Sequence, residues 1–270
     1  MTAPLEFTIL GCGSSGGVPR ADGAWGACDP NDARNRRSRC SLLVRRRSPE
    51  GPVLETTVVV DTAPDFRVQT ADAGVRRIDA VLYTHDHADQ MHGIDDLRAF
   101  AIRMRKRLAC YMDEATHHTV MRRFGYIFHG EAGYPAICED HAIPDHGAPW
   151  AISGPSGDIP VVTFDQDHGG PRSVGYRFGP VAYSSDVVDL PEAAFEALAG
   201  VKVWIVDALR YAPHPTHAHV ERALEWIARV RPERAILTNM HIDLDFETLR
   251  RELPDGVEPA FDGMRFEIAG

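Results

Sequence analysis

Cysteine is scarce in this sequence, and no two cysteines form a CxxC pair. Cys12, Cys28, Cys40, Cys110 and Cys138 are an odd count in 270 residues, irregularly spaced. That excludes a disulfide framework and a cysteine zinc knuckle, leaving buried reduced thiols as the expectation. No apolar run reaches the about 18 residues that cross a bilayer. The opening Met1-Thr-Ala-Pro-Leu-Glu lacks the basic flank and apolar stretch of a signal peptide. The expected location is the cytoplasm, with no membrane partner. Positive charge is short as well. Lys+Arg number 29 against 39 Asp+Glu, a net charge of −10, which argues against a broad nucleic-acid surface built on counterion release. No repeat, low-complexity tract or Ser/Gly linker interrupts the chain, so one domain over 1–270 is expected, with a homodimer left open.

What is present is a series of short β-rich runs bounded by Gly, Pro, Asp or Asn. They are 7–10, 41–44, 57–60, 80–83, 161–164, 174–178, 181–183, 203–206 and 235–238. Helical periodicity falls at 94–106, 114–123, 191–199 and 217–230, the last with Val220, Leu224, Ile227 and Val230 on one face. Strand runs followed by helices predict sheets with helices packed outside. Residues 131–157 are rich in Gly, Pro and Asp and read as a long excursion, a substrate-facing loop or lid. Seven arginines crowd 34–47, where they suit either an anionic ligand or a solvated loop and strand end.

Histidine is the unusual abundance, with 13 residues. Each cluster of His and Asp follows an apolar strand: His85-Asp-His87-Ala-Asp89-Gln90, Asp165-Gln-Asp-His168, Asp186, and His241-Ile-Asp243. Strands of one sheet deliver their ends to a common rim, so these groups can converge. Imidazole and carboxylate without thiolate suit Zn(II), Mn(II) or Fe(II).

With this spacing the sequence resembles the metallo-β-lactamase-fold hydrolases. The resemblance implies an α/β fold, a four-layer αββα sandwich with a metal site along one edge. It implies one ion on His85, His87, His168 and a bridging Asp186, and a second on Asp89, Asp186 and His241. Asp61, closing the run 57–60, would brace the histidine loop. Gln90 stands where the usual pattern has a histidine ligand, so it is a weak ligand or none, with His92 nearby. The second site is then weaker or tuned to oxygen-loving ions, and one ion (Zn or Mn) is as consistent as two.

The Gly11-Cys-Gly-Ser-Ser-Gly-Gly-Val-Pro opening, Tyr183-Ser-Ser-Asp186, and Asp207-Ala-Leu-Arg210 with Thr216-His217 resemble phosphoribosyl 1,2-cyclic phosphate phosphodiesterase and, more distantly, RNase Z. That branch carries a cysteine-rich structural zinc loop, which Cys28 and Cys40 alone do not supply. The implied activity is metal-dependent hydrolysis of a small cyclic phosphate or nucleotide-like phosphodiester. Asp89 would orient a metal-bound hydroxide and His217 would protonate the leaving oxygen. Thr216 as N-cap would place His217 at the start of a helix. Arg210 and Ser184 are the candidate substrate contacts. Rival readings are RNA processing, thioester or lactone hydrolysis on the same metal core, and a catalytically weakened nucleotide- or metabolite-binding protein.

Overall fold

The structure is a computed structural model and describes residues 4–48, 50–51 and 53–268, so Met1–Ala3 of the N-terminal reading above lie outside the described residues. Six strands come first: β1 (Leu5–Gly11), β2 (Ser41–Arg46), β3 (Thr56–Val60), β4 (Ala80–Leu82), β5 (Leu108–Met112) and β6 (Cys138–Ala142). Next are β7 (Trp150–Ile152), β8 (Ile159–Asp167), β9 (Arg172–Phe178), β10 (Val181–Ser184), β11 (Val203–Asp207), β12 (Arg234–Thr238) and β13 (Val257–Pro259). The last strand, β14 (Arg265–Ile268), returns to pair with β1. The result is two seven-stranded mixed sheets, ordered β14-β1-β2-β3-β4-β5-β6 and β13-β12-β11-β10-β9-β8-β7.

Period-two alternation divides the first sheet's side chains between two cores. Phe7, Ile9, Leu42, Val44, Val58 and Val60 face the second sheet. Leu10, Leu43 and Val59 face the other way, under α1 (Phe66–Asp72), α3 (Leu97–Met104) and α4 (Glu114–His129). A short α2 (Ala88–Met91) precedes α3. On the second sheet lie α5 (Glu192–Leu198), α6 (Val220–Val230) and α7 (Phe246–Glu252). In α6 the residues Val220, Ala223, Trp226 and Ile227 are buried. The predicted αββα layering is the observed one.

Two expectations are corrected here. The helix read over 217–230 begins at Val220 with His219 as its N-cap, so Thr216 caps nothing and His217 lies in the loop before it. Backbone bonds from Leu209 N to Ala218 O and from Ala218 N to Val187 O hold that loop against neighbouring strand ends. The 131–157 excursion is also no lid. It contains β6 and β7, the edge strands of the two sheets, and is the crossover between them.

Parallel neighbours β3–β4 and β10–β11–β12 bring their carboxyl ends to one rim. The N-terminal loop 12–39 closes over this rim, with Ser14 N bonded to Met240 O and Ala27 N to Ile242 O. Arg37 is buried in that loop and its guanidinium donates to Leu244 O at 2.7 Å and to His241 O at 3.3 Å.

Candidate metal centre

Three strands leave the rim through a non-glycine residue with left-handed backbone. Asp61 follows β3 with φ 62°, Asp186 follows β10 with φ 56°, and Asn239 follows β12 with φ 60°. Short Asx side chains tolerate this region better than most others. The sharp exits turn polar side chains back over the strand ends.

Asp61 is fully buried and accepts from Thr84 N and Thr84 Oγ1, both at 2.8 Å. The Thr84 hydroxyl lies 3.0 Å from His85 Nδ1. Because that hydroxyl proton goes to Asp61, His85 Nδ1–H donates to Thr84 Oγ1, and the lone pair is left on Nε2. That Nε2 is buried with no hydrogen-bond partner among the described residues. Burial pushes the His85 imidazole down to about 3, so it is neutral.

His168 follows β8 and is oriented in the same way. Its Nδ1–H donates to Thr216 O at 2.7 Å, which leaves the lone pair on Nε2, 3.3 Å from His87 Nδ1. The rings of His85, His87 and His168 surround one point, with centroids 4.5, 4.9 and 5.0 Å apart. Among the described residues two groups converge with the spacing of metal ligands: His85/His87/His168 and His168/Asp186/His217. Burial opposes ionisation of Asp186, but His85, His217 and His168 around it hold its carboxyl below the usual range. The trio offers two oriented imidazole lone pairs and a third imidazole, and Asp186 converges with it through the shared His168; this donor chemistry suits a divalent ion of the Zn(II) or Mn(II) type.

His217 has a different posture. Its Nδ1 lies 2.9 Å from Asp207 Oδ2, at the buried end of β11, and Asn239 Nδ2 lies 3.1 Å away. Burial works against the imidazolium, but Asp207, Asp186 and Asp89 outweigh it and raise the group to about 9. With Nδ1 engaged by the carboxylate, Nε2–H is the proton offered to the cavity that His217 lines. That cavity has a volume of about 880 Å³ and is walled by Arg20, Arg39, Asp89, Arg210, His214 and His241, among others.

Residues 56–242 match the family described as the beta-lactamase superfamily domain. The chain belongs to that superfamily. Among solved structures it is similar to a diphosphatase of the PhnP family, at 32% identity and a TM-score of 0.85, covering 99% of this chain and 98% of that one. Zinc-bound PqqB from Methylobacterium extorquens shares the fold at 18% identity and TM-score 0.72, covering 97% and 100%. So does the short form of human tRNase Z, at 14% identity and TM-score 0.63, covering 97% and 98%. The Porphyromonas gingivalis (strain ATCC BAA-308 / W83) octanoyltransferase is 30% identical over 265 residues, which are 96% of this chain. The chain spans about half the length of that relative, 51%.

Within this metallo-β-lactamase-fold chain the other anticipated residues fall unevenly. Asp89 lines the cavity, and burial together with Asp186 pushes its carboxyl up to about 6. His241 lines it too, with Nδ1 2.9 Å from Asp243. Neither joins a convergent group among the described residues. His92 turns away from the site and stacks edge-on against Phe124, 5.7 Å between centroids. Ser184 is corrected: it is fully buried, its hydroxyl accepts from Trp204 Nε1 at 3.0 Å, and it does not line the cavity. Arg210 reaches the cavity wall while donating to Ala212 O and Pro213 O. Most arginines of 34–47 are used in structure: Arg34 with Asp32 and Glu247, Arg45 with Glu6, Arg47 with Glu55. All five cysteines are buried and free.

Asp207, Thr84 and Arg20 were not singled out from the sequence as site residues. For Asp207 the signal was available, since it closes an apolar run as Asp61 does. Thr84 and Arg20 carry no such mark. No helix among the described residues is long and apolar enough to cross a membrane.

Proposed function

We propose that the chain is a metal-dependent phosphohydrolase whose substrate is a small phosphodiester, a cyclic phosphate or a nucleotide-like ester. The observation that carries this reading is the His217–Asp207 pair set beside the His85/His87/His168 trio, ring centroids of His168 and His217 being 4.8 Å apart. A divalent ion held by the three histidines and Asp186 supplies Lewis acidity and an activated water when bound. Asp89, half-buried at the cavity wall, is placed to take a proton from water. His217, kept cationic by Asp207, gives its Nε2 proton to the departing alkoxide, a step typically worth ~10²–10⁴-fold. Arg20, Arg39 and Arg210 make the wall suitable for an anion. The PhnP-family diphosphatase supports phosphoryl chemistry in a relative of this size.

The test is hydrolysis of bis(p-nitrophenyl) phosphate by the full chain loaded with Zn(II) or Mn(II). Turnover should require the ion, and His217→Ala should keep the ion and lose ~10²–10⁴-fold in rate. A second reading, thioester hydrolysis on the same centre, draws on the octanoyltransferase relative. Cleavage of an octanoyl thioester with no action on the diester would move the assignment there.

A further inference from the structure

The region between Asp186, Asp89 and His241 is already furnished with hydrogen-bond donors. Gln90, in α2, is fully buried. Its Nε2 lies 2.9 Å from Asp186 Oδ2 and 3.3 Å from Asp89 Oδ2, while its Oε1 has no partner among the described residues. From the opposite side the Arg20 guanidinium contacts His241 Nε2, the atom that imidazole would offer to an ion. An amide N–H and a guanidinium thus stand on the atoms a second metal ion would need.

Arg20 is placed by its loop. Arg20 N bonds to Ala24 O and Gly23 N to Arg20 O, which closes a tight turn.

We propose that the chain holds a single divalent ion, on His85, His87, His168 and Asp186, and that Arg20 supplies the site's second positive charge and grips an anionic oxygen of the substrate. Gln90 occupies the adjacent carboxylate edge by donating a hydrogen bond to it. The proposal rests on the phosphohydrolase reading. A guanidinium presents two parallel N–H groups to a phosphate, and the contact with His241 Nε2 holds it at the cavity wall.

The test uses the full chain saturated with Zn(II), gel-filtered and weighed by native mass spectrometry. One retained ion per chain, lost in His85→Ala, is expected. Two retained ions overturn the single-ion inference and leave the phosphohydrolase reading intact, whereas none overturns that reading. Calorimetry with inorganic phosphate on the Zn(II)-loaded protein tests Arg20. Arg20→Ala should weaken phosphate binding about tenfold or more and retain the same single ion. Unchanged phosphate affinity overturns the role given to Arg20. Because Arg20 is exposed, the variant should melt with wild type, which separates lost binding from lost fold.

Discussion

His85 is made a metal ligand by neighbours that never reach the ion. Asp61 fixes the Thr84 hydroxyl, the hydroxyl fixes the tautomer, and the lone pair is thereby aimed into the site. Thr84→Val breaks this relay and leaves a buried carboxylate short of a donor. Zn(II) affinity should fall ~10–100-fold and stability by about 1–3 kcal/mol, read by metal titration and urea unfolding, with Thr84→Ser restoring both. His217 makes a second prediction. Its raised value of about 9 means the acid form is fully present at neutral pH and is lost as pH rises through about 9. The basic limb of the rate profile should move to lower pH in Asp207→Asn. An unmoved limb would remove His217 from the role of acid. At this scale the sequence showed the polar residues at strand ends but not their contacts. Arg20 and His241 meet across 221 positions, and no local pattern announces such a pair.

Elements were more legible. All nine apolar runs lie on strands, because each is a short, largely buried apolar segment with two covered faces. The strands that escaped notice are short or polar ones at or near the sheet edges: Cys138–Ala142 presents exposed Glu139 and Asp140, and Arg265–Ile268 alternates exposed with half-buried residues. The helix predicted from 217 starts only at Val220, because tertiary bonds at Ala218 hold the preceding residues in a bent loop, whatever their helical preference. The β1–β2 pair carries its own prediction. Arg45 donates to Glu6 at 2.5 and 3.0 Å, and both are buried beside Glu55. Arg45→Met removes the buried guanidinium and leaves Glu6 and Glu55 only the partly exposed Arg47 and Arg265 at their edge, at a cost of about 3 kcal/mol in chemical unfolding. A loss below 1 kcal/mol would show that water does reach them.

The whole molecule closes on itself through Asp262, which accepts from Cys12 N at 3.1 Å, Ser38 N at 2.7 Å and Ser38 Oγ at 2.6 Å. Burial pushes its carboxyl up to about 6 against those donors. A raised carboxyl binds its proton more tightly in the folded chain. Its stabilising contribution is complete below the ordinary 3.8 and is lost as pH rises through about 6. Asp262→Asn should therefore flatten the melting temperature between pH 4 and 6, where wild type declines. A wild-type decline left intact in the variant would assign it to another group. The layering itself was legible from composition and alternation, whereas which half of the chain supplies which ligand was not, since that depends on how the two sheets meet. His85 and His87 come from one sheet, His168 and Asp186 from the other. An ion seated among them is a cross-link between two halves of the fold. Metal supply then becomes a setting of mechanical and proteolytic durability: at a hundredfold excess over its dissociation constant the ion adds about 2.7 kcal/mol, and a chelator should open the seam between the sheets before it loosens either one.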